Sequence, residues 1–265
     1  MNKGWPYLLT IILLVACIPA RPQVGVQTPI RQNKAEASKS PSPKAVKGET
    51  IIEYRGYTVS YNSDNRIPNW VSYELTADET DGPYSRKGKD FQVDISANVP
   101  QADAYDYRGS GWSRGHMAPA GDFKWDDQAM WETFYYTNCC PQDVKLNNGS
   151  WNVLENKVRS WARQFGCVSI ITGPIVGKNN GGRIGSHGVV VPDAFFKALL
   201  TSASGGFQGI AFVMQNESQS QSLSESYMSI NDLERITGFD FFSSLPDTVE
   251  EEVESKVDLA FWRIR

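Results

Sequence analysis

Two segments of the chain concentrate side chains that suit the hydrolysis of phosphodiesters. The first, GWSRGHMAPAGDF, holds His116, one of the two histidines of the chain, two residues after Arg114. Such hydrolysis needs a base that deprotonates water, a cation or metal that stabilises the phosphorane, and a backbone that approaches the phosphate closely. The segment offers a base, a cation and a glycine-rich backbone. Taken alone, however, His116 is equally well interpreted as a hydrogen-bonded loop histidine.

The second segment, TNCCPQDVKLNNGSWNVLENKVRSW, places Asn147 just before a predicted helix and puts Glu155 and Arg159 one turn apart on that helix. Magnesium takes oxygen ligands and keeps most of its waters. The amide oxygen of Asn147, with Glu155 holding a coordinated water, would therefore be sufficient to bind it. Two simpler interpretations stay open: Asn147 as a helix cap, and Glu155 with Arg159 as a surface ion pair.

The second histidine and the cysteines support other chemistry less well. His187 lies in GGRIGSHGVV and is predicted to be structural or exposed, and no cluster of His, Cys and Asp has the spacing of a zinc site. A thiol hydrolase that uses Cys139 or Cys140 with a histidine is a rival hypothesis. In an oxidising compartment Cys167 is predicted to pair with one of these two cysteines, and the sequence leaves open which one.

These segments need a mixed framework of helices and strands. Alternating residues 57–61 and 70–75 predict strands, and the apolar runs VSIITGPIV, GVVVP, FFKALLT and GIAFVMQ predict further ones. Helices are predicted near residues 126–134 and 149–165, and the second has an apolar stripe at helical spacing. The expected fold class is α+β around an antiparallel sheet.

The first 50 residues differ in composition from the rest. Residues 1–16 join Lys3 to an apolar run that is too short to cross a bilayer, which predicts a signal peptide and export. The run ends in LVAC, which resembles a bacterial lipobox, so Cys17 is the predicted lipidation site. Cleavage by the general signal peptidase near Ala20 is the alternative. Residues 17–50, rich in Pro, Ser, Lys and Gln, predict a disordered tether before a single domain at residues 51–265.

Both interpretations of the leader place the domain outside the cytoplasm. The lipobox predicts a lipoprotein anchored at the outer membrane or cell surface; the alternative is a periplasmic or secreted protein. The charge balance of the domain points away from nucleic acid, because residues 51–265 carry 19 Lys and Arg against 28 Asp and Glu. Several of these acids, however, crowd into DTVEEEVESKVD, so the composition is compatible with a local basic groove.

Taken together, the motifs resemble the DNA/RNA non-specific endonuclease family, the ββα-metal nucleases that include endonuclease G and its exonuclease-like relatives. The resemblance is carried by SRGHMAPAGD, TNCCPQ, LNNGSW and WNVLE, and by NWVSYELT, IITGPI, VVVPDAFFKALL and ITGFDFFSSLP in family order. It covers about residues 51–263. It implies a ββα-metal nuclease fold with a central antiparallel sheet flanked by helices.

The resemblance also implies a role for each residue of the site. His116 would be the general base, Arg114 would support the phosphate, and Asn147 would be the metal ligand. Glu155 would orient a metal-bound water. Arg159 would be a cation that steadies the transition state or the leaving group.

Four further positions complete the comparison with the family. Asn138 matches a family asparagine near the site and is expected to bind substrate, as is an upstream cation that is either Arg86 or Lys89 in SRKGKDF. Ser113 stands where the commonest family motif has Asp, and the exonuclease-like branch also has Ser there. This departure leaves the substrate preference open.

The implied activity is that of a Mg²⁺-dependent endonuclease, with Mn²⁺ as a substitute metal, that cuts DNA or RNA with little sequence preference and leaves 5′-phosphate and 3′-hydroxyl ends. An imidazole with the ordinary pKa of about 6.5 would be a poor base below about pH 5.5.

Expected partners are DNA or RNA, the membrane through a lipid anchor, and a second copy in a homodimer. The alternative is a catalytically weak or silent surface lipoprotein that uses the same fold for binding. DNA or RNA preference and internal or end cutting stay open.

Overall fold

A seven-stranded antiparallel sheet forms the centre of the computed structural model, which describes Pro43 and residues 49–177, 181–203 and 206–264. Its strands are β1 (Thr50–Glu53), β2 (Thr58–Asn62), β3 (Ile67–Thr76), β6 (Cys167–Ile175), β9 (Ala194–Ala203), β10 (Gly206–Gln215) and β11 (Tyr227–Met228). They are hydrogen-bonded in the order β1-β2-β3-β6-β9-β10-β11. The expected α+β class with a central antiparallel sheet is confirmed. The predicted signal peptide and Cys17 lie outside the described residues.

The inner strands are the continuous apolar runs of the sequence. In β9 every side chain from Ala194 to Thr201 is buried, and β6 is buried from Cys167 to Pro174. A strand covered on both faces does not need the polar alternation of a half-exposed strand. The strands predicted at residues 57–61 and 70–75 lie in β2 and β3, so these predictions are confirmed. Among the described residues, the first strand begins at Thr50.

Two short ladders stand apart from the main sheet. One joins β4 (Ser113–His116) to β5 (Cys139–Gln142), and the other joins β7 (Arg183–Ile184) to β8 (Val189–Val190). The first ladder needs the glycine of its SRGH motif, because a Cβ at Gly115 would collide with the side chain of Gln142. The ladder therefore sets the position of His116 through a close contact between strands.

The longest helix covers one face of the sheet. Its apolar stripe is buried at Trp151, Leu154, Val158 and Trp161, as the helical spacing predicts. Each such side chain contributes roughly 1.5–3 kcal/mol when fully removed from water. The helix ends at Gly166, whose φ of 93° is accessible to glycine at little cost. The helices are α1 (Ala104–Tyr107), α2 (Asp127–Glu132), α3 (Val144–Asn148), α4 (Ser150–Phe165), α5 (Leu223–Ser226), α6 (Ile230–Thr237), α7 (Asp247–Glu254) and α8 (Leu259–Trp262).

The C-terminal part covers the opposite face. Helices α6 and α7 contact β10, and their Leu233 and Val253 pack with Phe196 and Phe241 in a second apolar cluster. The sheet is thus a layer between two cores, with α4 and the β4–β5 ladder on one side. Within the described part of the chain, no helix combines the length and apolar character needed to cross a membrane.

Candidate active site

His116 lies at the end of β4, opposite Cys139 of β5, between two aromatic rings. The ring centroids of Phe91 and Phe134 are 4.5 Å and 4.9 Å from the imidazole centroid. Its Nε2 atom is buried and has no hydrogen-bond partner among the described residues. Unpaired buried polar atoms are uncommon because they lose hydration, so this nitrogen is a candidate for binding a ligand or water.

The surroundings of His116 hold the imidazole neutral. Burial lowers its pKa, and the positive charges of Arg86 and Arg114 lower it further, to about 3. The ordinary pKa of about 6.5 assumed from sequence is therefore wrong for this site, because a protonated ring would lose hydration next to two cations. The ring is therefore neutral, with an unprotonated nitrogen, across the whole physiological range.

Hydrogen bonds define the orientation of the Asn147 side-chain amide. The Ser113 hydroxyl donates to the Gln142 carbonyl oxygen at 2.6 Å, so Ser113 Oγ accepts from Asn147 Nδ2 at 3.0 Å. Since Nδ2 is held by Ser113, Oδ1 is the end of the amide that remains for a cation. Asn147 caps neither neighbouring helix, because α3 has Asp143 as its N-cap and α4 has Gly149. The capping interpretation is therefore wrong.

Glu155 and Arg159 do not pair with each other as a surface ion pair. Arg159 Nη1 lies 2.5 Å from Asp122 Oδ1, and the Asp122 side chain is only 1% exposed. Tyr73 donates to the same carboxylate at 2.8 Å. Burial raises the pKa of Glu155 to about 7, although the cations Lys197 and Arg159 lower it. This carboxyl group therefore changes its charge near neutral pH.

The cations upstream of the site separate into two environments. The Arg86 guanidinium lies 5.7 Å from the Phe134 centroid, on the ring that also contacts His116. Lys89 instead binds Asp127 of α2 at 2.7 Å. The geometry thus favours Arg86 over Lys89 for the upstream cation position.

Arg114 lies beside the same aromatic cluster. Its guanidinium is 5.1 Å from the Phe91 centroid and pairs with the exposed Asp90 at 2.9 Å. An ion pair with a carboxylate that is 78% exposed contributes little free energy. A phosphate group could therefore replace Asp90 at small cost.

Asn138 is a structural residue and cannot contact substrate as expected, because it is fully buried. Its Nδ2 donates to the carbonyl oxygens of Ala118 and Thr133 at 2.9 Å and 2.8 Å, and its Oδ1 accepts from the Ala118 amide at 2.9 Å. The amide thereby holds the segment that follows His116. Its role is to position the site.

The two adjacent cysteines carry neither the expected disulfide nor a thiol nucleophile. Cys139 and Cys140 are free and buried on β5, so neither pairs with Cys167, which lies on β6 of the other sheet. Cys139 Sγ contacts the Tyr107 hydroxyl at 3.4 Å. Burial raises the pKa of Cys139 to about 12 and that of Cys140 well above its ordinary value. A thiolate is therefore not accessible, which argues against the thiol hydrolase hypothesis.

His187 belongs to a group that could hold a cation in principle. Its ligand atoms and those of Asp103 and Asp106 lie within 4.8 Å of one another, on residues that the structure describes. Asp106, however, already accepts from the backbone amides of Asp103 and His187 and contacts His187 Nδ1 at 2.8 Å. These bonds tie α1 to the β7–β8 turn, in agreement with the structural role predicted for His187.

Two charged residues near the site were not identified from the sequence. Asp122 ends the motif SRGHMAPAGD and binds Arg159, and Lys197 is the only charged residue of β9. A lone lysine in the apolar run AFFKALL is a signal that could have identified the second. For Asp122 the signal is its place at the end of a motif that carries the family resemblance.

Comparison with known proteins points to one family. Residues 34–248 match the family model described as DNA/RNA non-specific endonuclease. The chain is 38% identical over 217 residues to the mitochondrial nuclease EXOG of Mus musculus, across 75% of this chain and 58% of that protein. It is 34% identical over 202 residues to the mitochondrial endonuclease G of Homo sapiens, across 71% and 68% of the two chains.

A solved structure agrees with these sequence matches. The crystal structure of the EndoG/EndoGI complex is similar with a TM-score of 0.70 and 30% sequence identity, and the match covers 74% of this chain and 86% of that one. The match with the mouse nuclease, in contrast, spans little more than half of that protein's length.

Proposed function

This chain belongs to the DNA/RNA non-specific endonuclease family, and we propose that it is a Mg²⁺-dependent nuclease that hydrolyses phosphodiester bonds in DNA, RNA or both with little sequence preference. The observation that carries the proposal is the buried Nε2 atom of His116, which has no hydrogen-bond partner among the described residues and belongs to a ring held neutral. A neutral imidazole with an open nitrogen is suited to take a proton from water.

The proposed reaction begins with that proton transfer. His116 Nε2 takes a proton from water, and the hydroxide formed attacks phosphorus in line. The bond between phosphorus and the 3′-oxygen breaks, the leaving oxygen takes a proton from solvent, and the products carry 5′-phosphate and 3′-hydroxyl ends. Arg114 and Arg86 bind the phosphate from the aromatic side of the imidazole. Arg159 keeps a fixed positive charge beside Glu155.

Asn147 on α3 and Glu155 on α4 fit a hard cation. Asn147 presents an amide oxygen, since its nitrogen is bound to Ser113, and Glu155 adds a carboxylate. Mg²⁺ prefers such oxygen donors and needs few of them, and Mn²⁺ accepts the same set. When bound, the metal stabilises negative charge on the phosphate oxygens. Asn147 would be its direct protein ligand, and Glu155 would hold a coordinated water.

A cleavage assay with the purified chain tests the function. Wild type, His116→Ala and, as the matched control, His187→Ala are incubated with circular single-stranded DNA, linear duplex DNA and RNA, with Mg²⁺ or with EDTA. We expect wild type and His187→Ala to cut only with Mg²⁺, and His116→Ala to lose about 10²–10⁴-fold in rate. Wild-type rates in His116→Ala would contradict the mechanism. Cutting of circular single-stranded DNA would establish internal cleavage.

We also propose that the protein is exported and anchored through Cys17. The support is the LVAC sequence and the polar segment that follows it. Cys17→Ser should move the exported protein from the detergent phase to the aqueous phase. Identical partitioning of the variant and the parent would leave export by the general signal peptidase as the remaining interpretation.

A further inference from the structure

Lys197 is a buried cation that the proposed reaction does not use. It is 1% exposed and is the only charged residue of β9, where its neighbours are apolar. Burying an ammonium group costs free energy unless other groups compensate its charge and its donors. An apolar side chain of similar length would fill the same space without that cost. The groups that surround Lys197 therefore indicate the function of its buried ammonium group.

The ammonium group contacts three different elements. Its nitrogen lies 4.9 Å from the Trp151 ring centroid on α4, 3.3 Å from Thr172 Oγ1 on β6, and 3.5 Å from the Met117 carbonyl oxygen. The Thr172 hydroxyl donates to the Phe196 carbonyl oxygen at 2.8 Å, so it can only accept from Lys197. The positive charge is thus held by a ring face and two oxygen acceptors.

These contacts lie directly behind the proposed site. Met117 follows His116 in the chain, and Trp151 precedes Glu155 by one helical turn on the same side of α4. The amide of Met117 donates on its other side to the Asn138 carbonyl oxygen at 3.0 Å. Lys197 therefore connects the segment that carries the base with the helix that carries the carboxylate.

Several charged groups surround Glu155 in this part of the structure. Glu155 is influenced by Lys197 from β9, by Asp122 from the 3-10 helix Ala120–Asp122, by Arg159 from its own helix and by Arg86 from the loop before β4. Asp122 is already paired with Arg159 at 2.5 Å. Lys197 is the remaining cation that acts on Glu155 from the sheet, and burial lowers its own pKa.

We propose that Lys197 is a positioning residue of the active site: its ammonium group, held over the Trp151 ring of α4, binds the Met117 carbonyl oxygen and so fixes the segment that carries His116 against α4. This inference rests on the proposed nuclease function. A purely structural role for Lys197 makes a different prediction: in that case Lys197→Met would improve packing and leave the rate unchanged. Under the proposal, the same substitution lowers the rate without unfolding the protein.

The test compares Lys197→Met with Thr201→Val in the full chain. Thr201 is the matched control, because it lies on the same face of β9, is 1% exposed, and donates to the Cys167 carbonyl oxygen at 2.7 Å, away from the site. For Lys197→Met we expect kcat to fall roughly 10- to 100-fold with duplex DNA and KM to stay unchanged, with Tm measured alongside to establish that the variant is folded. Thr201→Val should keep the wild-type kcat.

Two more variants separate the charge from the hydrogen bonds and from folding. Lys197→Arg keeps the charge and should retain more activity than Lys197→Met. Lys197→Gln loses the charge but keeps a donor for Met117, so its kcat should lie between those of Lys197→Met and wild type. If Lys197→Met fails to fold, Lys197→Leu takes its place as the variant without a donor. Wild-type kcat in a folded variant without a donor at position 197 would overturn the proposal.

A measurement that needs no activity separates this inference from the proposed function. Amide hydrogen exchange of residues 116–118 should be faster in Lys197→Met than in wild type and unchanged in Thr201→Val. Unchanged exchange in Lys197→Met would refute the positioning role even in an active enzyme. If the wild-type chain shows no hydrolysis that depends on His116, the proposed function fails, while the exchange measurement still decides whether Lys197 holds this segment.

Discussion

The pH dependence of hydrolysis should follow Glu155 and not the general base. Burial raises the pKa of Glu155 to about 7, whereas burial and two arginines lower the pKa of His116 to about 3. As pH falls from 8 to 6, His116 stays neutral, but the ionised fraction of Glu155 drops from about 0.9 to about 0.1. If the ionised carboxylate is the active form, kcat/KM should fall about tenfold over this interval.

The assay is the initial rate of duplex cleavage at low substrate, between pH 5 and pH 9, at constant ionic strength and with Mg²⁺ below saturation, because a bound divalent cation would itself lower the pKa of Glu155. An ordinary histidine of pKa about 6.5 as the limiting base would give only about a fourfold fall between pH 8 and pH 6. Glu155→Gln provides the internal control. Its amide can still hold a water, so the rate should fall moderately at pH 8, and the dependence between pH 5 and pH 8 should disappear.

Two results would refute this reasoning. One is a rate that stays constant from pH 8 down to pH 5, which would mean that Glu155 titrates at its ordinary value or plays no part. The other is an acid limb that persists in Glu155→Gln, which would assign the titration to another group.

Two further substitutions test the metal site and the buried ion pair. Asn147→Ala should reduce the rate about as deeply as loss of the base, roughly 10²–10⁴-fold, and higher Mg²⁺ or added Mn²⁺ should partly restore it; an unchanged Mg²⁺ dependence would exclude Asn147 as the ligand. Asp122→Asn leaves Arg159 without its buried partner and should lower the free energy of unfolding by about 3–5 kcal/mol in urea denaturation followed by tryptophan fluorescence. Asp127→Asn, which breaks the more exposed pair with Lys89, is the control and should cost at most about 1 kcal/mol.

The sequence predicted the parts of the fold that depend on local periodicity. Helix α4 was predictable because its apolar stripe repeats at helical spacing, and β9 because a long apolar run suits a strand covered on both faces. His116 and Asn147 were indicated by motifs whose chemistry is visible in the residue types. The hydrogen bond that ties Asn147 on α3 to Ser113, on the strand that carries His116, required the structure.

Features that depend on contacts between distant segments could not be predicted. The pKa of His116 is set by burial under aromatic rings and by Arg86, 30 positions away in sequence, and neither effect is encoded in the SRGH motif. The predicted disulfide was wrong because β5 pairs with β4 in a separate ladder, which turns Cys139 towards Tyr107 instead of β6. Asn138 was expected to bind substrate, since a buried amide and an exposed one look the same in sequence.

Because Lys197 lies on β9, it joins the active site later during synthesis than the other residues of the site. The base, the proposed metal ligand and the carboxylate all lie within residues 113–159, so contacts of short sequence separation can bring them together early. The sheet, by contrast, pairs β3 with β6 and β6 with β9 across long separations. Lys197 emerges from the ribosome after the rest of the site and reaches Glu155 only when β9 joins the sheet. A nascent chain that already holds the complete motif would therefore lack the buried charge beside its carboxylate until the central sheet has formed.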